Sequence, residues 1–354
     1  MRLKNKVTFD DIASYTGFSK TTVSRYFNNP DSLTAENQAT IARALKKLNY
    51  HENKVGRILA SGHTEFIGLI VPNLYMHFFA ETLQAFLATY NRYGYKFLVF
   101  EGNRTEDEER RYISELLAYN VEGMIVMSHT IPSEELAGYG IPLVTIERED
   151  RCVSSVNTDN LMGGIQATSL LYKNNCDILF YIDGINDHIV PAQGRQIGFE
   201  QICQQQKIAH EVILREIGHS YEESYRVISG SIDDIAIRHS GKRKGIFCAN
   251  DTYASMVVTH LVRSYGSFPD DFRLIGFDGS PISAQTVVPF STIGQQIDKI
   301  VEATMELLIE QIQNRTKRIP VETPVRHKVI TPVLICRDTS RPDAFLERER
   351  HRYE

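Results

Sequence analysis

The stretch GFSKTTVSRYFNN, Gly17 to Asn29, sets donor side chains at helical spacing. Lys20, Thr21, Ser24 and Arg25 fall on one face of a short helix, opposite Val23 and Phe27. Lys and Arg donate to guanine O6 and N7, and Thr reaches a thymine methyl or a phosphate. Ser19, Thr22 and Asn28 are placed to touch phosphates, which orient a protein on DNA without reading its sequence. Catalytic chemistry finds no comparable pattern. His188 can be paired with Asp187 or Asp183, but no G-x-S-x-G, P-loop, G-x-G-x-x-G or H-E-x-x-H context surrounds them. The five cysteines show no C-x-x-C spacing, which argues against a disulfide framework and a zinc site. No catalytic residue, metal or cofactor is expected.

Three helices must carry this face. Thr8 followed by Asp11 makes a capping box with Asp in place of Glu, and Ile12 and Ala13 begin an apolar side. Gly17 breaks that helix. Ser19 then caps the second helix, Asn28-Asn29-Pro30-Asp31 forms a turn, and Thr34 caps a third helix bearing Ile41, Leu45 and Leu48. The arrangement is a helix-turn-helix, whose second helix enters the major groove. A small three-helix bundle with a solvated polar face fits the same pattern.

Charge separates this opening from the rest. Residues 1–62 carry ten Lys or Arg against five Asp or Glu, and the remainder 29 against 39, within a net charge of -5. One end is thus suited to a polyanion. With 354 residues, 42% hydrophobic and 23% charged, the chain is globular and long enough for two or three domains. No run approaches a membrane span, and MRLKNKVTFDD lacks the apolar core of a signal peptide, so a cytoplasmic place, nucleoid-associated on DNA, is expected.

From Phe66 onward apolar runs alternate with amphipathic segments: FIGLIV (66–71), YKFLVF (95–100), GMIVM (123–127), PLVTI (142–146), then DILFYI (177–182), GIFCAN (245–250) and FRLIGFD (272–278). Near-continuous apolar strands between helices predict parallel sheets covered on both faces, in two similar subdomains with a cleft between them. Ligands in such sheets bind beyond the carboxyl ends of the strands.

Residues 7–28, VTFDDIASYTGFSKTTVSRYFN, resemble the opening of the lac repressor (LacI/GalR) family of bacterial transcriptional regulators. Thr16, Phe18 and Phe27 depart from that family's usual Ala, Val and Leu, at core positions. The resemblance implies that Lys20 and Thr21 dominate operator choice, that Arg25 is a third base reader, and that Thr8 joins the contacts. Residues 49–59, NYHENKVGRIL, are similar to the family's hinge segment: Tyr50, Asn53, Arg57 and Leu59 match, while Glu52 and Gly56 replace Pro and Ala. The family's hinge is a short helix formed on operator DNA, which implies Leu59 as a minor-groove wedge and Asn53 as its N-cap. Gly56 costs such a helix roughly 0.5–1 kcal/mol relative to Ala.

The resemblance runs to about residue 338 and implies a fold: an N-terminal all-α helix-turn-helix domain plus a periplasmic-binding-protein-like α/β domain of two doubly wound parallel-sheet subdomains. The implied boundaries are 1–49 for the helix-turn-helix and 50–64 for the hinge. Effector binding and dimerisation take 65–340, with an N-subdomain of about 65–163 and 296–325 and a C-subdomain of about 164–295 and 326–340. The 341–354 tail lacks leucine heptads, so a homodimer on a palindromic operator is expected. Implied effector contacts are Tyr75, Phe78, Met127, Ser128, Glu147, Arg195, Asn250, Asp278 and Gln295. Asn250 and Asp278 fit equally as helix caps. The implied function is a repressor of a carbohydrate operon released by a small sugar. The alternative is a regulator whose DNA binding is tightened by a small molecule or protein partner.

Overall fold

Thr8 begins the first helix as its context predicts: the Thr8 N–H donates to Asp11 Oδ2 at 2.8 Å, and the Asp11 N–H returns to Thr8 Oγ1 at 3.4 Å. The computed structural model describes residues 7–51, 56, 58, 62–102, 105–148, 151–185, 191–218, 220–319, 321 and 323–340, with Asn28 described by its backbone. The chain divides into two units, Met1–His63 and Thr64–Glu354.

In the first unit, α1 (Phe9–Thr16) ends at Gly17, whose φ of 73° is a left-handed conformation that glycine adopts freely. Ser19 Oγ accepts the Thr22 N–H to cap α2 (Lys20–Asn28), and Thr34 Oγ1 accepts the Asn37 N–H to cap α3 (Ala35–Lys47). Ile12, Val23 and Ile41 are fully buried between the helices. Phe27 earns its place over the usual Leu by stacking on Phe9, ring centroids 5.1 Å apart, with Tyr50 tilted against both.

The second unit holds two six-stranded sheets. The first contains β1 (Phe66–Val71), β2 (Lys96–Glu101), β3 (Gly123–Val126), β4 (Leu143–Ile146), β5 (Ser154–Thr158) and β11 (His327–Ile330), ordered β11-β5-β4-β3-β1-β2. The second contains β6 (Ile178–Gly184), β7 (Ala209–Arg215), β8 (Lys244–Cys248), β9 (Phe272–Asp278), β10 (Ser291–Gly294) and β12 (Val333–Ile335), ordered β12-β10-β9-β8-β6-β7. All pairings are parallel except β10 with β12. The connecting helices are α4 (His77–Ala88), α5 (Tyr90–Tyr93), α6 (Glu106–Ala118), α7 (Ser133–Gly138), α8 (Asn160–Lys173), α9 (Gln193–Gln206), α10 (Tyr221–Arg238), α11 (Asp251–Tyr265), α12 (Ile282–Gln285) and α13 (Ile297–Thr316). Each sheet is buried on both faces by its own pair of apolar clusters, as parallel sheets require.

The chain passes between the lobes after β5, after β10 and between β11 and β12. Sequence places the last passage at 326, but β11 pairs with β5 in the first sheet from His327 to Ile330, so the passage falls at 331–332. The strand HKVI has too little apolar length to be read without its partner. No helix among the described residues is long and apolar enough to cross a membrane.

Helices α8 and α9 cross in direct backbone contact. A Cβ built on Gly164 would lie 2.3 Å from the Arg195 carbonyl oxygen. Gly164→Ala should therefore force the helices apart, costing about 1–3 kcal/mol. Urea denaturation checks this; an unchanged midpoint would show that the contact yields freely.

Candidate functional site

In the first unit, Lys20, Thr21 and Arg25 are exposed on α2. Lys20 Nζ donates to Asp10 Oδ2 at 2.9 Å. Ser19 and Thr22 pair their hydroxyls at 2.9 Å while Ser19 caps the helix, and Ser24 is half-buried. Thr8 directs its hydroxyl to Asp11 Oδ2 at 2.7 Å, and the Tyr50 ring packs on Phe9 and Phe27, so both have structural roles. The Asn28 side chain and Asn53, Arg57 and Leu59 lie outside what is described; Gly56 and Ile58 are helical.

In the second unit, a cleft of about 320 Å³ opens at the carboxyl ends of strands from both sheets. It is lined by Tyr75, Phe78, Met127, Glu147, Arg195, Asn250, Asp278 and Gln295, eight of the nine sequence candidates. Ser128, named as an effector contact by the resemblance, does not line the cleft. Its hydroxyl is fully buried and donates to Glu109 Oε1 of α6 at 2.6 Å, because the residue after Met127 faces away from the cleft.

Arg195, 6% exposed, is held before any ligand arrives. Its Nε donates to Asn160 Oδ1 at 2.8 Å, its Nη1 to the Ala249 carbonyl at 2.5 Å, and its guanidinium lies 3.7 Å from the centroid of the Phe277 ring. Glu147 accepts the Thr158 N–H and the Asn160 amide, each at 2.6 Å. Its extra methylene, against the Asp usual at this position of the resemblance, carries the carboxylate to those two donors. Gln295 joins the lobes: its Oε1 accepts the Thr158 hydroxyl at 2.6 Å and its Nε2 donates to Asp278 Oδ1 at 2.7 Å. Asn250 caps α11, accepting the Tyr253 N–H at 2.9 Å, which leaves its amide donor for the cleft.

Burial pushes Asp278 up to about 7, with Glu147 adding to the rise, while Arg195 and the Gln295 and Asp251 hydrogen bonds pull it down. Asp251 behind it is pushed well above the ordinary carboxylate range by burial and by Asp278, against hydrogen bonds from Thr292 and the Ser280 N–H. Asp183 at the cleft wall is also raised by burial, although Tyr181 and the Gly184 N–H donate to it. Across the mouth, the Tyr75 hydroxyl donates to the Gly218 carbonyl at 3.2 Å, and the His77 N–H to Thr252 Oγ1 at 3.1 Å. Sequence reading missed Thr158, Asn160 and Asp251. Polar residues at and just past a strand's carboxyl end were the available signal for Thr158 and Asn160, but SSVNT is too polar to be read as a strand.

The description "Bacterial regulatory proteins, lacI family" matches residues 8–53. "Periplasmic binding proteins and sugar binding domain of LacI family" matches 64–229, and "Periplasmic binding protein-like domain" matches 171–340. The chain belongs to the lacI family. A lacI-family relative, the ribose operon repressor of Halalkalibacterium halodurans, is 27% identical over 94% of this chain and 97% of its own length. The sucrose operon repressor of Streptococcus mutans is 27% identical over 86% and 92%. The crystal structure of the lac repressor dimer bound to operator and the anti-inducer ONPF matches at a TM-score of 0.76, with 19% identity, 95% of this chain and 99% of that one.

The raised carboxyl of Asp278 has a pH consequence. Between its ordinary value near 3.8 and about 7 the folded state keeps a proton that the unfolded chain has lost. Stability from this site therefore falls as pH rises through that window. Asp278→Asn should narrow the difference in urea midpoint between pH 5 and pH 8; an unchanged difference would mean that Asp278 is ionised throughout.

Proposed function

We propose that this lacI-family chain is a DNA-binding repressor of a carbohydrate operon, acting as a homodimer on a palindromic operator and released by a neutral sugar. The observation that carries the reading is the cleft's polar equipment. Arg195 supplies fixed donors, while the oxygens of Glu147, Asp278 and Gln295 each accept one protein hydrogen bond and keep a second lone pair for hydroxyls. A polyhydroxylated ring both donates and accepts at each hydroxyl, and the aromatic rings of Tyr75, Phe78 and Tyr253 offer it apolar walls.

Charge favours a neutral effector. The lining includes the carboxyl groups of Glu147, Asp183 and Asp278, with Arg195 as its Arg or Lys among the described residues. A phosphate would meet Arg195 already bonded to Asn160 and Ala249, beside the Glu147 carboxyl and, above about pH 7, an ionised Asp278. Relatives that repress ribose and sucrose operons support the same class. Tightening of DNA binding by the effector remains the alternative logic, and the sign of the response decides it.

In operation, a sugar that bonds to both lobes changes the angle between them. The effector acts only through a difference in its affinity for the DNA-binding and released states. By the resemblance, the segment around Gly56 is the element on which that difference acts, and a helix of about ten residues with an interior Gly is marginal in water.

Fluorescence anisotropy on a palindromic duplex at fixed salt, against neutral sugars and their phosphates, tests the reading. A neutral sugar should release DNA and its phosphate should not; tightening would select the alternative logic. Arg195→Ala should keep operator affinity within about twofold while losing at least tenfold in effector affinity, since its hydrogen bonds to the ligand are charge-assisted. A parallel thermal melt separates this from unfolding, and an equal fall in both affinities would refute the assignment.

A further inference from the structure

We infer that Asp10 is a positioning residue for DNA sequence choice, holding the Lys20 ammonium over the face of α2 so that it reads a base instead of wandering to a phosphate. The inference rests on the DNA-binding reading above and adds a residue to it. Asp10 and Lys20 come from different helices, α1 and α2, and meet at 2.9 Å. The adjacent Asp11 closes the capping box with Thr8, so the two acids of the first turn have separate work. Asp10 is not needed to start its helix.

Lys20 is the first residue of α2, and that helix has no acid in its first turn. A cation at a helix N-terminus opposes the macrodipole. Ser19 and Thr22 bond to each other, so neither hydroxyl is directed at the ammonium. Asp10 supplies the missing counter-charge from across the turn.

Both partners are well exposed, with side-chain accessibilities of 62% and 66%. Such a pair adds little to stability and opens readily. Its effect is on direction. A lysine head has three donors on a flexible stem. Asp10 takes one and leaves two, which guanine O6 and N7 accept together. Reaching a phosphate instead requires Lys20 to swing away and leaves the Asp10 carboxylate facing a polyanion. Asp10 therefore penalises non-specific contact more than the specific one.

The test is a double-mutant cycle of Asp10→Asn and Lys20→Ala in the full-length protein, by anisotropy at fixed salt. Three duplexes are used: an operator obtained by binding-site selection, a set with each half-site base pair changed in turn, and a random sequence. Lys20→Ala should flatten the preference at one base pair per half-site. Asp10→Asn should lower the ratio of operator to random-sequence affinity by roughly two- to fivefold, the range of an exposed ion pair, and this effect should disappear on the Lys20→Ala background. The same Asp10→Asn effect on both backgrounds would show a bare charge acting alone and overturn the proposal. An unchanged ratio, or a Lys20→Ala protein with every base preference intact, would overturn it as well. Failure of the unmodified protein to select any sequence would refute the DNA-binding reading itself.

Discussion

Arg195, Glu147, Asp251 and Asp278 are nearly shut off from water where two sheets meet, and the rest of the larger unit is arranged to make that tolerable. An unpaired charge in such a place costs several kcal/mol, so each needs partners. For Arg195, Glu147 and Asp278 they include residues where the chain passes between the lobes: Thr158 at the end of β5, Asn160 after it, and Gln295 after β10; Asp251 is held by Ser280 and Thr292. The passages and the cleft-lining groups are therefore one hydrogen-bonded network. The backbone bears strain in the same place, with positive φ at Glu147 (55°), Asp278 (121°) and Gln296 (58°). Non-glycine residues hold such angles only where the surroundings enforce them, typically at functional sites.

This arrangement lets events in the cleft reach the passages between the lobes. Arg195 on one lobe and Glu147 on the other both bond to Asn160 at a passage, so a displacement of either pulls on that passage. Tyr75 and His77 bridge the mouth directly, to Gly218 and Thr252, so closure has its own contacts that a ligand either reinforces or opposes. Burial lowers the His77 imidazole below its ordinary value, against the pull of Glu81, and its Nδ1 lies 2.9 Å from Thr252 Oγ1.

The parts legible in the sequence were those with local causes. Thr8, Ser19 and Thr34 cap helices because a side-chain oxygen sits one turn before an unpaired N–H, and that can be read from spacing. The central strands are apolar runs because both of their faces are covered. The strands β5, β7, β10, β11 and β12 were not legible: SSVNT and STIG are small and polar, and HKVI and VLI are short edge segments whose partners lie far away in sequence. At the cleft, the resemblance named eight residues that line it, whereas the groups that hold them were hidden. Asp251 looks like an ordinary helix-start acid until β9 and β10 bring Asp278 and Thr292 against it.

The central claim is that occupancy of the cleft and binding of DNA share one free energy. Calorimetric titration of the effector into the free protein and into the operator-saturated protein tests this most directly, with operator titration at zero and saturating effector as the reverse measurement. Operator should weaken the effector by the same factor as the effector weakens operator, typically about 5- to 150-fold. Identical effector affinity with and without operator would contradict it.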